Sequence, residues 1–497
     1  MRSASSTDAP SALSVGVVGL GALMAVLPQT LVLPVIPVIA RDVGATTGQA
    51  QWLLTSTLLA GAVAVPVISR FADLWGSRLM LQFTLVFLAV GSAVDALTDN
   101  LAVMIVGRAL AGVAAAAVPL GISLLATTLP RERQASGMVI VSAMLGVGNA
   151  LGLPLAGLIG DRADYHVLYW IGFAGAAISV VLVSLLVRDP RAAGQKDPKN
   201  QKSKVDLPGI VLLTAGLGGL ILPLAQSAEW GWGSTRTLGT FAAAVVLLLL
   251  LVVVELRTSS PLVNMRALAH PPVAITNVAS AFVGFALFAS FVGASTYVQA
   301  PTATGYGFNA SVVTAGLTLL PSGLLMLLLA PVAARLIKRW GAAWVLCLAG
   351  MIIAVGLIER IVATAALWQV IAGTAIVGVG SGIAYAALPS LITAHSRPDE
   401  LAAANGINSV ARSLGSTLAS AAGGSILAAL TINIDGTPVP SLTGYRTLFV
   451  ICAAAAALAA AGGAIVARAD ALTRPQPDNS APTAGTQRLP AADTPMQ

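Results

Sequence analysis

Apolar runs of about 20 residues, the length that crosses a bilayer, recur along almost the whole chain, separated by short polar or charged segments. Fourteen such runs are predicted as helices: 12–39, 50–69, 79–98, 101–128, 136–160, 165–187, 207–227, 237–256, 272–299, 311–333, 342–363, 365–391, 404–430 and 444–468. The first has no small-residue cleavage site after it and leads directly into further spans, so it reads as a retained helix rather than a signal peptide. The pattern predicts an all-α polytopic membrane protein with both termini on one side. The charges test that arrangement. With the N-terminus in the cytoplasm, 20 of the 27 basic residues fall inside, among them Arg70, Arg78, Arg131, Arg133, Arg335, Lys338 and Arg339. Five fall outside (Arg41, Arg162, Arg236, Arg360, Arg446), and Arg108 and Arg412 lie within spans. Such a bias is the positive-inside rule, and an odd helix count would scramble it.

Composition narrows the class further. The 497 residues are 57% hydrophobic and 9% charged, against about 25% charged in soluble domains, which excludes a water-soluble globule. The net charge of +7 follows from the inner-side bias, so no nucleic-acid partner is implied. Arginine outnumbers lysine 22 to 5, which points to a GC-rich bacterial genome and hence a bacterial inner membrane. Cys347 and Cys452 sit in apolar runs and read as helix-packing residues. His166, His270 and His395 are scattered at helix ends and form no cluster for a metal or for catalysis. No GxxxxGK[ST] loop occurs, which argues against an ATP-driven pump. No catalytic triad stands out, so neither an enzyme nor a cofactor is expected. Residues 188–206 are polar and lysine-rich and read as a flexible connector, while the tail after Arg468 has the composition of a disordered segment.

An internal repeat organises the spans. Ser69–Gly76 (SRFADLWG) reappears as Ala334–Gly341 (ARLIKRWG), an offset of 265. Leu151–Ala156 (LGLPLA) reappears as Leu414–Ala419 (LGSTLA), an offset of 263, and Gly107 and Gly112 recur as Gly373 and Gly378, an offset of 266. Three nearly equal offsets in one order map helices 1–6 onto helices 9–14, leaving helices 7 and 8 as an inserted pair. The expected organisation is an N-terminal tail (1–11), a six-helix bundle (12–187), a linker (188–206), an inserted helix pair (207–257), a second six-helix bundle (258–468) and a C-terminal tail (469–497).

Four stretches carry candidate chemistry. Ser142–Asp161 places Gly148 and Gly152 on one helix face, where two backbones can approach closely, and Pro154 bends the same helix. With Gly157 this stretch resembles the fifth-helix antiporter motif of major facilitator superfamily drug exporters (GxxxGPxxGG), with Leu153 intervening between Gly152 and Pro154. Ser69–Arg78 resembles the superfamily's signature loop (GxLaDrxGrkxxl), with Asp73, Gly76 and Arg78 on its characteristic positions. A carboxylate between helix ends can pair with arginine and with a helix N-terminus and so latch the cytoplasmic side; the bland alternative is a solvated turn. Arg108, inside a span and costly there unless it snorkels to the interface, forms Arg108-x-x-x-Gly112, which resembles the family's fourth-helix motif. The resemblance implies a part for Arg108 in proton transfer, with Ala111 in place of the usual Gln. Leu27–Pro37 departs from the family: Pro28 stands where many relatives carry an acid, and Leu33 stands where they carry Asn.

The missing acid prompts a search for another carboxylate. Asp95, Asp161, Glu255 and Glu359 lie near spans, and their positions toward helix ends read as solvated termini. Asp95, within an otherwise apolar third helix, is singled out, and Glu359 and Arg360 read as a local ion pair. A central cavity between the bundles is assigned Gln29, Thr30, Asn149, Asn277, Phe285, Asn408 and Arg412, with Phe282, Phe288 and Tyr385 nearby. Few charges and several aromatics suit apolar or weakly cationic ligands. Glu229–Gly233 (EWGWG) reads as part of an interfacial aromatic belt. Together the resemblance implies a fourteen-helix major facilitator fold (6+2+6). It also implies a monomeric transporter that exports amphipathic drugs or antibiotics by alternating access, coupled to protons. The alternative is an importer or facilitator of a small metabolite on the same fold.

Overall fold

The computed structural model describes residues 8–32, 35–45, 47–160, 164–187, 206–226, 230–258, 261–434 and 437–473. The long helices are α1 Asp8–Val32, α2 Thr47–Trp75, α3 Ser77–Ala96, α4 Leu101–Thr128, α5 Arg131–Gly160, α6 His166–Leu186 and α7 Leu207–Ala225. They continue as α8 Thr235–Arg257, α9 Pro271–Gln299, α10 Val312–Leu328 with Ala330–Trp340, α11 Ala342–Val362, α12 Leu367–Ala394, α13 Leu401–Ala429 and α14 Leu442–Thr473. Among the described residues, twelve helices are long and apolar enough to cross a membrane, or thirteen if the bent α10 counts as one span. α10 bends by 48° between its two segments, where Pro331 at the start of the second has no N–H for the ladder. α13 runs for 29 residues but is not one of the twelve, since Asn405, Asn408, Ser409, Arg412 and Ser413 dilute its apolar character.

Two boundaries differ from expectation. The first span was expected to reach residue 39, but α1 ends at Val32 and a separate short helix covers Ile36–Asp42. Pro34 and Pro37 in that stretch of sequence cannot donate backbone hydrogen bonds. Ser69–Arg78 was expected as a loop, but α2 continues to Trp75 and the connection shrinks to Gly76. Gly76 has φ 106°, and its repeat mate Gly341 has φ 83°, a region costly for residues with a Cβ. The Lys-rich connector (188–205), Arg162, Asp161, Glu229 and the tail beyond 473 lie outside the described residues. A two-stranded hairpin, Thr431–Ile434 with Thr437–Pro440, was not anticipated; it pairs Ile432 with Val439. Asp435-Gly436 between the strands is a hairpin turn signal. Tyr306 donates its hydroxyl to the Pro440 carbonyl and so ties the hairpin to the α9–α10 connection.

The repeat is visible as duplicated contacts. Gly112 lies where a Cβ would collide with the Thr57 carbonyl of α2, and Gly378 lies where one would collide with Ser322 of α10. Gly91 lies against the Gly107 carbonyl and the Ala111 amide, and Gly356 against the Gly373 carbonyl and the Val377 amide. Each pair sits at the same repeat positions, so backbones touch where the sequence offers no side chain. The buried apolar residues form two clusters, one built mostly on α1–α6 and one mostly on α9–α14. Two helices cross over: Ala402 and Val410 of α13 join the first cluster, and Val139 and Ala143 of α5 join the second. α7 and α8 pack on each other, and Val246, Leu249 and Leu250 of α8 face outward.

Candidate functional site

α5 is gripped on two faces. On one, Gly148 meets Val26 and Leu27 of α1, and a Cβ on Gly152 would collide with the Thr30 hydroxyl. Thr30 Oγ1 lies 3.2 Å from the Gly148 carbonyl, to which it donates, and 3.0 Å from its own helix's Leu27 carbonyl. On the other face, Pro154 abuts Gly316 of α10, and Gly146 lies against the Met326 thioether. Gly157 lies farther along α5, toward its end. Small residues thus let α5 sit between α1 and α10 at backbone distance. Among the residues the sequence assigned to a cavity, Gln29 turns back to its own helix, donating to the Ala25 carbonyl, and Asn149 is half-buried. Asn408 of α13 donates to Asn277 Oδ1 at 3.0 Å and to Ser280 Oγ at 2.7 Å, both on α9. Arg412 stacks its guanidinium over Tyr385 at 5.0 Å and donates to Ser409. Phe285 is buried in the second apolar cluster.

At the end of the bundle that carries Gly76, Asp73 occupies the last turn of α2. Its two carboxylate oxygens accept from the Ala402 and Ala403 amides, each at 3.0 Å. These belong to the first turn of α13, whose amides have no partner within their own helix. Anion and helix N-terminus therefore complement each other across the repeat boundary. Both oxygens are thus used within the protein. Arg78 does not join Asp73; it donates to the Ser184 carbonyl at the end of α6, at 2.7 Å.

At the opposite end, Asp95 and Arg108 are 0% and 1% exposed. Asp95 is thus no solvated helix terminus: α3 turns it inward against Gly107 of α4, where the absence of a side chain makes room for it. Arg108 is the cation acting on Asp95. Neither Asp95 oxygen, nor Arg108 Nε and Nη2, nor the Tyr169 hydroxyl of α6 finds a hydrogen-bond partner among the described residues. Arg108 and Asp95 both act on Tyr169, a residue that sequence reasoning missed although it is a polar tip in an apolar helix. The Arg108 carbonyl in turn accepts from Thr57 of α2 at 3.2 Å.

The second repeat answers with different chemistry. Gly373, the mate of Gly107, makes room for the Glu359 carboxylate, half-buried and with Oε2 unpartnered among the described residues. Arg360 and Glu359 act on each other as neighbouring charges but form no salt bridge. Arg360 is 2% exposed and donates through Nη1 to the Ser290 carbonyl and hydroxyl, both at 2.9 Å, and through Nη2 to Thr374 at 2.5 Å. The cation expected on the outer side is a buried rivet joining α9, α11 and α12. The histidines are not wholly scattered either: the His270 and His395 rings are 6.3 Å apart, and His395 Nε2 lies 3.1 Å from Asp470 Oδ1. Trp232 of the aromatic stretch donates to Ser425 of α13 at 2.6 Å, and Arg236 stacks on Trp230.

Comparison with known proteins fits this architecture. The family model described as Major Facilitator Superfamily matches residues 18–420 and 344–494. An uncharacterized MFS-type transporter of Bacillus subtilis, YcnB, is 26% identical over 68% of this chain and 69% of its own length. The tetracenomycin C resistance and export protein of Streptomyces glaucescens is 28% identical over 68% of this chain and 61% of its own length. The multidrug export protein EmrB of Haemophilus influenzae is 29% identical over 64% and 60%. The chain therefore aligns with about three fifths of the length of each named exporter. Among solved structures, the human organic anion transporter MFSD10 superposes with a TM-score of 0.63 at 14% identity, covering 91% of this chain and 99% of its own. The proton:xylose symporter XylE superposes with a TM-score of 0.62 at 12% identity, covering 94% and 96%. Duplicated helical repeats, an Asp73 carboxylate bonded across them to two amides of α13 and this breadth of matching lead to one assignment: the chain belongs to the Major Facilitator Superfamily, and it is a multi-pass membrane transporter rather than an enzyme.

Proposed function

We propose that the protein is a proton-coupled exporter of amphipathic compounds, drugs and antibiotics among them. In this reading it works as a monomer by alternating access in a bacterial inner membrane, with both termini and the Gly76 end in the cytoplasm. Residues 12–187 and 258–468 are the rocking bundles, and 207–257 is an inserted pair. The observation that carries the reading is the burial of Asp95 and Arg108 within electrostatic reach of each other, with no hydrogen bond between them. A carboxylate with two unpartnered oxygens beside a guanidinium with two unpartnered nitrogens is under-satisfied in either state, and such intramembrane groups characterise proton relays. A proton arriving on Asp95 cancels its hold on Arg108. Arg108 is joined through its carbonyl to Thr57, and Thr57 lies on α2, whose far end carries the Asp73 latch. One continuous helix therefore links the proton site at one end of the bundle to the closure at the other. Asn277, Asn408, Arg412 and Tyr385 line the substrate path, with Gln29, Thr30 and Asn149 from the first repeat. Export rather than import is favoured by the α5 glycine–proline stretch and by relatives whose names record export.

The test is efflux of a fluorescent lipophilic cation from cells expressing the protein, with and without a protonophore. Efflux that stops when the gradient collapses is expected, and efflux indifferent to the protonophore rules out proton coupling.

A further inference from the structure

The inserted pair α7–α8 carries a second buried carboxylate site, at the Gly76 end and remote from Asp95. Asp206 caps α7 through Oδ1, which accepts from the Gly209 amide at 2.9 Å. Glu255, near the end of α8, accepts through Oε2 from the Val263 amide at 3.3 Å. That leaves Asp206 Oδ2 and Glu255 Oε1, and neither has a hydrogen-bond partner among the described residues. Both oxygens are aimed at one spot. A Cβ on Gly209 would stand 2.6 Å from Glu255 Oε1 and 2.7 Å from Asp206 Oδ2. The residues are 9% and 3% exposed, so Glu255 is not the solvated terminus its place in the sequence suggested.

Two ionised carboxylates confined to one dry spot repel each other and leave lone pairs unmet, and such pairs settle by sharing a proton. The charged groups acting on Glu255 are Asp206 from α7 and Arg70 from α2, and the Leu262 and Val263 amides reach it from the connection after α8. Among the described residues these groups are one cation against two carboxyls, which leaves one negative charge over. We propose that Asp206 and Glu255 hold a single proton between their free oxygens and form a proton-binding site of the inserted pair. One carboxyl donates its O–H and the other accepts; both oxygens are satisfied, and the remaining single charge faces Arg70. Arg70 also acts on Asp73, so this site and the latch share a counter-ion. Gly209 keeps the space beside both oxygens open, because a Cβ there would crowd each of them.

The site does not depend on export being proton-driven, so the efflux experiment can fail without affecting it. The test is infrared titration of the full-length protein in lipid vesicles, following the C=O stretch of protonated carboxyl groups. The wild type is expected to keep a protonated-carboxyl band at neutral pH that disappears in Glu255→Gln and in Asp206→Asn but survives in Asp95→Asn. Gly209→Ala leaves both carboxyls in the chain and only parts them, so it should shift or abolish the same band even if one of the other variants does not fold. A band unchanged in the Asp206 and Glu255 variants overturns the proposal. So does a wild type without the band whose melting temperature rises with sodium at fixed ionic strength, since a metal cation and not a proton would then join the two oxygens.

Discussion

Replacing Asp73 with Asn removes a charge while keeping the shape, and the structure sets the size of the effect. Both carboxylate oxygens are used, one on the Ala402 amide and one on the Ala403 amide. The asparagine oxygen can still accept from one amide, but its NH2 group then faces the other N–H. One charge-assisted bond is lost, at about 1.5–3 kcal/mol, together with about 0.3–1 kcal/mol from the helix terminus. The sum is roughly 2–4 kcal/mol, or a 30- to 1000-fold shift toward the unlatched state. Hydrogen–deuterium exchange of the α13 N-terminus in lipid nanodiscs reads this directly. The Ala402 and Ala403 amides have no intrahelical partner, so their protection reports the latch and little else. Exchange at these two positions is expected to accelerate by that factor in Asp73→Asn and at least as much in Asp73→Ala. Equal protection in the wild type and both variants refutes the latch.

Arg108→Ala should abolish gradient-driven export while the protein still inserts, as judged by its amount in purified membranes; export at the full rate removes Arg108 from the mechanism. Gly152→Ala drives a Cβ into the Thr30 side chain and should cost about 1–3 kcal/mol, read as a lower melting temperature in detergent. Adding Thr30→Gly should recover part of that loss, and no recovery would place the strain elsewhere. Arg360→Ala strips Ser290 and Thr374 of their donor and should destabilise the fold by about 3 kcal/mol. A thermal melt indistinguishable from wild type would show that Arg360 is no rivet.

The spans and the repeat were legible in the sequence because both are written in local signals. Hydropathy marks where a helix runs, and glycines recurring at a near-constant offset mark where backbones touch, as at Gly112 and Gly378. The GxxxG face of α5 was legible for the same reason, although its partner on the other face, Gly316 of α10, was not. Depth was the quantity that sequence position could not supply. Asp95 lies near the end of α3 and Glu255 near the end of α8, and distance from a helix end says nothing of which way a side chain turns. Asp95 is buried because Gly107 leaves a socket on the neighbouring helix, and Glu255 because Gly209 does. Arg360 was misread for the same cause: its acceptors, Ser290 and Thr374, come from two other helices. Ser69–Arg78 looked like a loop because it is polar, yet Asp73 spends that polarity on another helix's amides.

The counterpart of Asp73 in the second repeat is Lys338, and an ammonium group can accept nothing from a helix's free amides. Duplication supplied two such positions, and divergence changed their chemistry: Asp73 accepts from the Ala402 and Ala403 amides, whereas its counterpart is a cation. The approximate symmetry of the sequence repeat is therefore broken at this pair of positions. A carboxylate and an ammonium cannot stand in for each other, so the two repeats meet their neighbours at these positions with opposite charge.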